Sequence, residues 1–204
     1  ETYQALAEIL NSKAAEYGHP IYIVSDEPYR ELAYGVEVPF LPEIYRDTVI
    51  CYSYSKSLSL PGERIGYVYV PSFAEDSAAV YATVSGAARA IGHVCPPTLM
   101  QKVVGLCARE QPDLQAYDEN RTLLYNSLRE MGYECAKPDG AFYLFVKAPG
   151  GDANAFSEKA KREHNLLVVP VDGCPGYFRL SYCVSNDMIR RSLPAFRAMI
   201  KAYC

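Results

Sequence analysis

Long apolar runs are the first thing this sequence lacks. None of its stretches approaches the roughly 18–20 residues a helix needs to cross a bilayer, and no basic-then-apolar segment opens it. A membrane-spanning reading therefore has no support, and no membrane partner is expected. Paired cysteines are missing as well. The seven cysteines, at 51, 95, 107, 135, 174, 183 and 204, form no CxxC pair and no Cys/His spacing suited to zinc. An odd, scattered set reads as reduced thiols, so a cytoplasmic location is expected and no metal centre. Charge of one sign is also scarce. With 20 basic and 24 acidic side chains, a net charge of −4 and no basic stripe, there is no electrostatic case for nucleic acid. Finally, residue 1 is not methionine and a helical pattern begins at once, which predicts a chain that starts partway through a longer protein.

What is present is ordinary globular material: 50% apolar or aromatic residues and 22% charged over 204 residues, enough for a real core in one large or two small domains. Leu6, Ile9, Leu10, Ala14 and Tyr17 recur at helical spacing, with Gly18 and Pro20 as the stop. Residues 21–24 read as a buried strand that delivers Asp26-Glu27-Pro28-Tyr29 to its carboxyl end. Strands are predicted at 48–52 and 65–70, then a helix opened by Pro71-Ser72 and running to about Ala90. Pro96-Pro97 starts a helical region through Ala108, and a longer helix spans about 112–131, closed by Gly132. Beyond it come a strand at 141–147, a helix at 152–164, strands at 166–169 and 177–183, and a last helix from Asn186, read as its N-cap, to Ala202. The order is α/β grammar followed by a smaller α+β region. The expected boundaries are 1–109 for a partial large domain and 110–204 for the smaller one.

Ser53-Tyr54-Ser55-Lys56, with Arg64 eight residues after the lysine, concentrates the chemistry. Lys56 follows an apolar strand and so falls at a strand end, where ligands bind in parallel sheets. Its amine can form an imine with an aldehyde; Ser53 and Ser55 can donate to phosphate oxygens, and Arg64 can grip the same phosphate with a planar fork of donors. The competing reading is a surface lysine in a serine-rich turn. Asp26 can pair with a protonated pyridine nitrogen and Tyr29 can donate to a phenolic oxygen, against a solvated turn with Tyr29 packed beneath it. Arg179, between Phe178 and Leu180 in an alternating strand, needs an anion: a substrate α-carboxylate or an acidic side chain of the protein.

In these motifs the chain resembles the fold-type I aminotransferases that use pyridoxal 5′-phosphate (PLP), class I and II, the group that includes aspartate aminotransferase. The matching segments are Asp26-Glu27-Pro28-Tyr29, Ser53-Tyr54-Ser55-Lys56-Ser57, Leu60-Pro61-Gly62-Glu63-Arg64-Ile65-Gly66-Tyr67, Lys137 to Tyr143, and Arg179-Leu180-Ser181. The resemblance implies an α/β PLP-transferase fold with an incomplete large domain, three strands of whose sheet remain, plus a smaller α+β domain. It makes Lys56 the Schiff-base lysine and general base, Asp26 the partner of the ring nitrogen, and Tyr29 the donor to the ring oxygen. Ser53, Ser55 and Arg64 join the phosphate site, and Arg179 clamps the α-carboxylate. Amino acids and 2-oxo acids are the implied substrates, and a homodimer the implied assembly of the complete protein.

The same resemblance implies a missing N-terminal part, because the glycine-containing phosphate turn, the ring-stacking aromatic residue and the Asn-Pro motif of the family do not occur here. The sheet is then expected to show unpaired edges and apolar surface. Arg89 is out of register with the dicarboxylate-binding arginine of some relatives and reads as a helix-surface cation; His93 reads as structural. Two alternatives share the Lys56 set: a PLP-dependent lyase of the same fold, and the PLP-binding sensor domain of a transcriptional regulator.

Overall fold

The computed structural model describes residues 1–203, which form two compact units: Glu1–Glu31 with Glu37–Pro112, and Leu32–Val36 with the chain from Asp113 on. Helix α1 (Thr2–Tyr17) stops where expected. Gly18 enters the left-handed region at φ 73 and its N–H bonds Ala14 O, a conformation that costs glycine nothing because it has no Cβ. The rest of the first unit is β1 (Ile23–Asp26), the short α2 (Leu41–Ile44), β2 (Thr48–Ser53), the one-turn α3 (Tyr54–Ser57), β3 (Gly66–Tyr69), α4 (Ser77–Ala90) and α5 (Thr98–Cys107). Its sheet has the order β1-β2-β3, with β1 parallel and β3 antiparallel to the central strand.

Burial in this unit is concentrated on β2, where Thr48, Val49, Ile50 and Tyr52 are enclosed. The flanking strands are not. Val24 of β1 is 69% exposed, no residue of β3 is buried, and α4 buries none of its side chains. The open edges and apolar surface expected from the sequence are thus present. Helix α4 begins at Ser77, later than the Pro71 expected, because the segment before it is already bonded elsewhere. Asp47 accepts from Glu75 N at 2.8 Å, Tyr22 Oη donates to Glu75 O at 2.8 Å, and Arg46 donates to Phe73 O. Asp76 then turns through φ 49 before helical geometry starts.

The second unit contains α6 (Leu114–Met131), β4 (Tyr143–Lys147), α7 (Ala153–His164), β5 (Val169–Pro170), β6 (Tyr177–Ser181) and α8 (Asn186–Lys201), its strands antiparallel in the order β4-β6-β5. Period-two alternation sets the faces: Leu144, Val146 and Phe178 are fully buried, whereas Phe145 and Arg179 point away from the core. Phe156 of α7 stacks on Phe178 with centroids 4.8 Å apart, and Tyr133 meets Phe156 and Phe196 edge-on, its hydroxyl bonded to Phe196 O at 2.9 Å.

Two expectations shift here for local reasons. The cap of α8 is Ser185, whose Oγ accepts from Met188 N at 3.2 Å, and Asn186 is the first helical residue with its amide directed to Asn120 Oδ1. The strand expected at 166–169 shrinks to Val169–Pro170, since Leu166 N–H is bonded back to Ala160 O and Pro170 has no N–H to extend the ladder.

Candidate functional site

Parallel neighbours leave a sheet on the same side, so the carboxyl ends of β1 and β2 bring their following loops together. Asp26 ends β1 in register with Cys51, and Glu27 N–H donates to Cys51 O at 2.8 Å, holding the loop against β2 for one residue more. Tyr29 lies in the turn that follows. Strand β2 ends at Ser53, which caps α3: its Oγ accepts from Ser55 N at 3.2 Å and shares a 2.7 Å hydrogen bond with Ser55 Oγ. Lys56 rides on this turn with its Nζ 5.6 Å from the centroid of the Tyr29 ring. Asp26 is exposed and Tyr29, Ser53, Ser55 and Lys56 are half-buried, so a carboxylate, a phenol, two hydroxyls and an amine stand at one accessible sheet edge.

Arg64 approaches the same turn through the backbone. Tyr54 N–H donates to Ile65 O at 3.1 Å and Ser53 pairs with Gly66, so the Pro61–Arg64 loop runs beside α3. Its guanidinium, however, is exposed and donates to Pro61 O at 2.8 Å, with Arg64 itself at φ 52. Gly66 is required at this crossing, because a Cβ there would lie 2.2 Å from Tyr52 O.

Three residues to which the sequence assigned no role are bonded to one another beside these loops. Tyr52 Oη is 2.8 Å from Glu31 Oε1 and 2.7 Å from Ser57 Oγ, and Tyr52 and Ser57 are both buried. Burial pushes the Tyr52 phenol well above its ordinary range. A tyrosine on an inward-facing strand position, four residues before the lysine, was the one signal available.

Arg179 belongs to the second unit. It lies on the outward face of β6, paired across the sheet with Phe145 and Val169, and its guanidinium sits 5.0 Å from the centroid of the Tyr143 ring. Among the described residues no carboxylate forms an ion pair with it. Arg89 is exposed in the last turn of α4, and His93 is exposed rather than packed, with its backbone N–H bonded to Ala88 O at 2.7 Å. Among the described residues no group of three or more His, Cys, Asp or Glu is arranged to hold a metal, the six described cysteines are free, and no helix is long and apolar enough to cross a membrane.

An α/β sheet that delivers a lysine and a carboxylate from parallel strands, followed by a separate α+β unit carrying an outward arginine, defines the large-plus-small-domain plan of fold-type I PLP enzymes, here with an incomplete large domain. The chain belongs to the family described as aminotransferase class I and II, whose profile matches residues 2–196. It is 26% identical over 200 residues to an aromatic-amino-acid aminotransferase 2 of Thermococcus litoralis, covering 90% of this chain and 50% of the relative. Aspartate aminotransferase of Geobacillus stearothermophilus is 30% identical over 223 residues, covering 99% and 53%. Among solved structures, an amino transferase from Eubacterium rectale superposes with a TM-score of 0.93 at 55% identity, covering 99% of this chain and 51% of that one. The chain spans about half the length of the relatives it matches. Membership in this family implies PLP as the cofactor.

Proposed function

We propose that this chain carries one side of a PLP-dependent aminotransferase site, and that the complete protein moves an amino group from an amino acid to a 2-oxo acid. The observation that carries the reading is the shared edge of β1 and β2, where Asp26, Tyr29, Ser53, Ser55 and Lys56 stand within one unit. That donor set suits PLP chemically. Two hydroxyls and the nearby Arg64 match a phosphate, an amine matches an aldehyde, and a carboxylate matches a protonated ring nitrogen. When bound, PLP supplies a carbonyl carbon that reacts with amines and a ring that accepts the electron pair left when a substrate Cα–H bond breaks.

The residues then divide the work. Lys56 Nζ would hold the cofactor, and the same amine would serve as the general base that takes the proton from the substrate α-carbon. The Asp26 carboxylate keeps positive charge on the ring nitrogen, and the Tyr29 hydroxyl donates to the ring oxygen. Ser53 and Ser55 donate to the phosphate, and Arg64 joins them by turning its guanidinium away from Pro61 O. Arg179 grips a substrate α-carboxylate; the support is a guanidinium on the outward face of β6, beside the Tyr143 ring, with no carboxylate paired to it among the described residues. The same reading takes the complete protein as a cytoplasmic homodimer.

The test uses the complete protein with PLP, candidate amino acids and 2-oxoglutarate. Amino transfer with matched formation of the oxo acid is expected, and ammonia released without an amino acceptor would point to a lyase instead. Borohydride treatment should fix the cofactor on Lys56, and Lys56→Ala should abolish that attachment. Fixation of PLP on another lysine in the unaltered protein would remove Lys56 from this role.

A further inference from the structure

We propose that Glu31, Tyr52 and Ser57 form a hydrogen-bonded strut that positions Lys56, making them positioning residues of the site. The inference rests on the reading of Lys56 as the reactive amine. The direction of the strut follows from its chemistry. A carboxylate only accepts, so the single proton of the Tyr52 hydroxyl goes to Glu31 Oε1 at 2.8 Å. The 2.7 Å contact with Ser57 must then run the other way, from the Ser57 hydroxyl to the Tyr52 oxygen. Each hydroxyl therefore has one assigned orientation.

The strut joins the two loops that make the site. Glu31 follows Tyr29 by two residues, and Ser57 directly follows Lys56. The bonds thus tie the loop beyond β1 to the turn beyond β2, the two sides of the 5.6 Å contact between Lys56 and the Tyr29 ring. The middle member is held firmly: the Tyr52 ring stacks on Tyr67 at 5.0 Å and meets Tyr54 edge-on at 5.1 Å. Helix α3 has only one turn, too short to hold its own geometry, so contacts from outside must fix it.

Glu31 makes the arrangement act as a unit. Its second oxygen, Oε2, is buried and has no hydrogen-bond partner, leaving the Tyr52 hydroxyl as the one donor to this carboxylate among the described residues. Losing that donor leaves the acidic group with none, which costs more than an ordinary exchanged hydrogen bond. The same loss frees Ser57 and relaxes the turn carrying Lys56.

The experiment reads Lys56 itself and needs no cofactor. The chain is trace-acetylated without PLP, and the labelling of Lys56 is compared by mass spectrometry with that of Lys102 and Lys137, both exposed. Ser57→Ala and Tyr52→Phe should each raise the ratio roughly fivefold, the population change that one net hydrogen bond produces, while circular dichroism confirms folding. Ser57→Thr, which keeps the hydroxyl, should restore the original ratio. An unchanged Lys56 ratio in folded Ser57→Ala overturns the proposal, and so does an elevated ratio in Ser57→Thr, which would indicate volume rather than the hydroxyl. If Tyr52→Phe does not fold, the Ser57 pair decides alone. Because labelling requires no PLP, a failure here is separate from a failure of PLP to attach at Lys56.

Discussion

A guanidinium enclosed in the second unit shows how one residue can organise a region without touching the chemistry. Arg121 is 5% exposed; its Nε donates to Asp118 Oδ1 at 2.8 Å, its Nη1 to Pro138 O at 2.5 Å, and its Cζ lies 4.3 Å from the centroid of the Tyr34 ring. A delocalised cation with a planar fork can meet a carboxylate, a carbonyl and a ring face together, and lysine cannot. Asp118 is half exposed, so water can replace the ion pair once the arginine is gone. The part-buried Pro138 carbonyl and the ring face are less readily compensated. Arg121→Met is therefore expected to destabilise the chain by about 2 kcal/mol, from one lost charge-assisted hydrogen bond and one cation–π contact, read as a lower urea midpoint by circular dichroism. At this scale the sequence was legible where residues sit close together in a motif. That Ser53, Ser55 and Lys56 fall together just past one strand, and Asp26 and Tyr29 just past another, was readable from local patterning. Arg121 and Glu31 could not, since Pro138 and Tyr52 lie 17 and 21 residues from them along the chain and local patterning carries no record of such pairs.

Secondary-structure elements were most readable where glycine or an apolar period marked them. Gly18 and Gly132 both end helices in the left-handed region, and the alternation in Tyr143–Lys147 and Tyr177–Ser181 yields strands with one enclosed face. Starts were less readable. The onset of α4 depends on Asp47 and Tyr22 holding the preceding turn, contacts 28 and 53 residues apart in sequence. Leu32–Val36 belongs with the second unit through an antiparallel bridge from Ala33 to Gly140, and Tyr34 N–H donates to Asp139 O at 2.9 Å. No periodicity announces so short a segment. The β2–β3 pair offers the sharpest test of an element. A methyl group on residue 66 would meet the backbone oxygen of Tyr52 at 2.2 Å, and a strand backbone cannot swing aside as a side chain does. Gly66→Ala should cost about 3 kcal/mol, the upper end for overpacking. Faster amide exchange at Tyr67 and Tyr69 would show the strands parting; protection equal to that of the unaltered chain would mean the pair absorbs the methyl group.

Across the whole molecule, tyrosine hydroxyls repeatedly tie one backbone segment to another. In the first unit Tyr45 donates to Ile21 O at 2.5 Å and Tyr22 to Glu75 O at 2.8 Å. In the second, Tyr34 and Tyr182 both donate to Ala141 O, at 2.6 and 2.9 Å, and Tyr133 donates to Phe196 O at 2.9 Å. Burial raises the pKa of every one of these phenols, and that of Tyr117 is pushed up to about 12 by burial first and by Cys183 second. A tyrosinate has no proton to donate, so ionisation breaks the tie, and for the enclosed phenols it also places charge in an apolar setting. Unfolded tyrosines lose their protons near pH 10, whereas these groups hold theirs to higher pH in the folded chain. The unfolded chain therefore binds fewer protons above about pH 10, and stability must fall as pH rises from there through the folded-state values. Below that window these phenols are protonated in both states and contribute no pH dependence. The thermal midpoint should hold level with respect to tyrosine between about pH 8 and 9.5 and then drop steeply towards pH 12, with phenolate absorbance appearing together with the loss of helical circular dichroism. Full ionisation of all 18 tyrosines while the helical signal persists would contradict the role given to these ties.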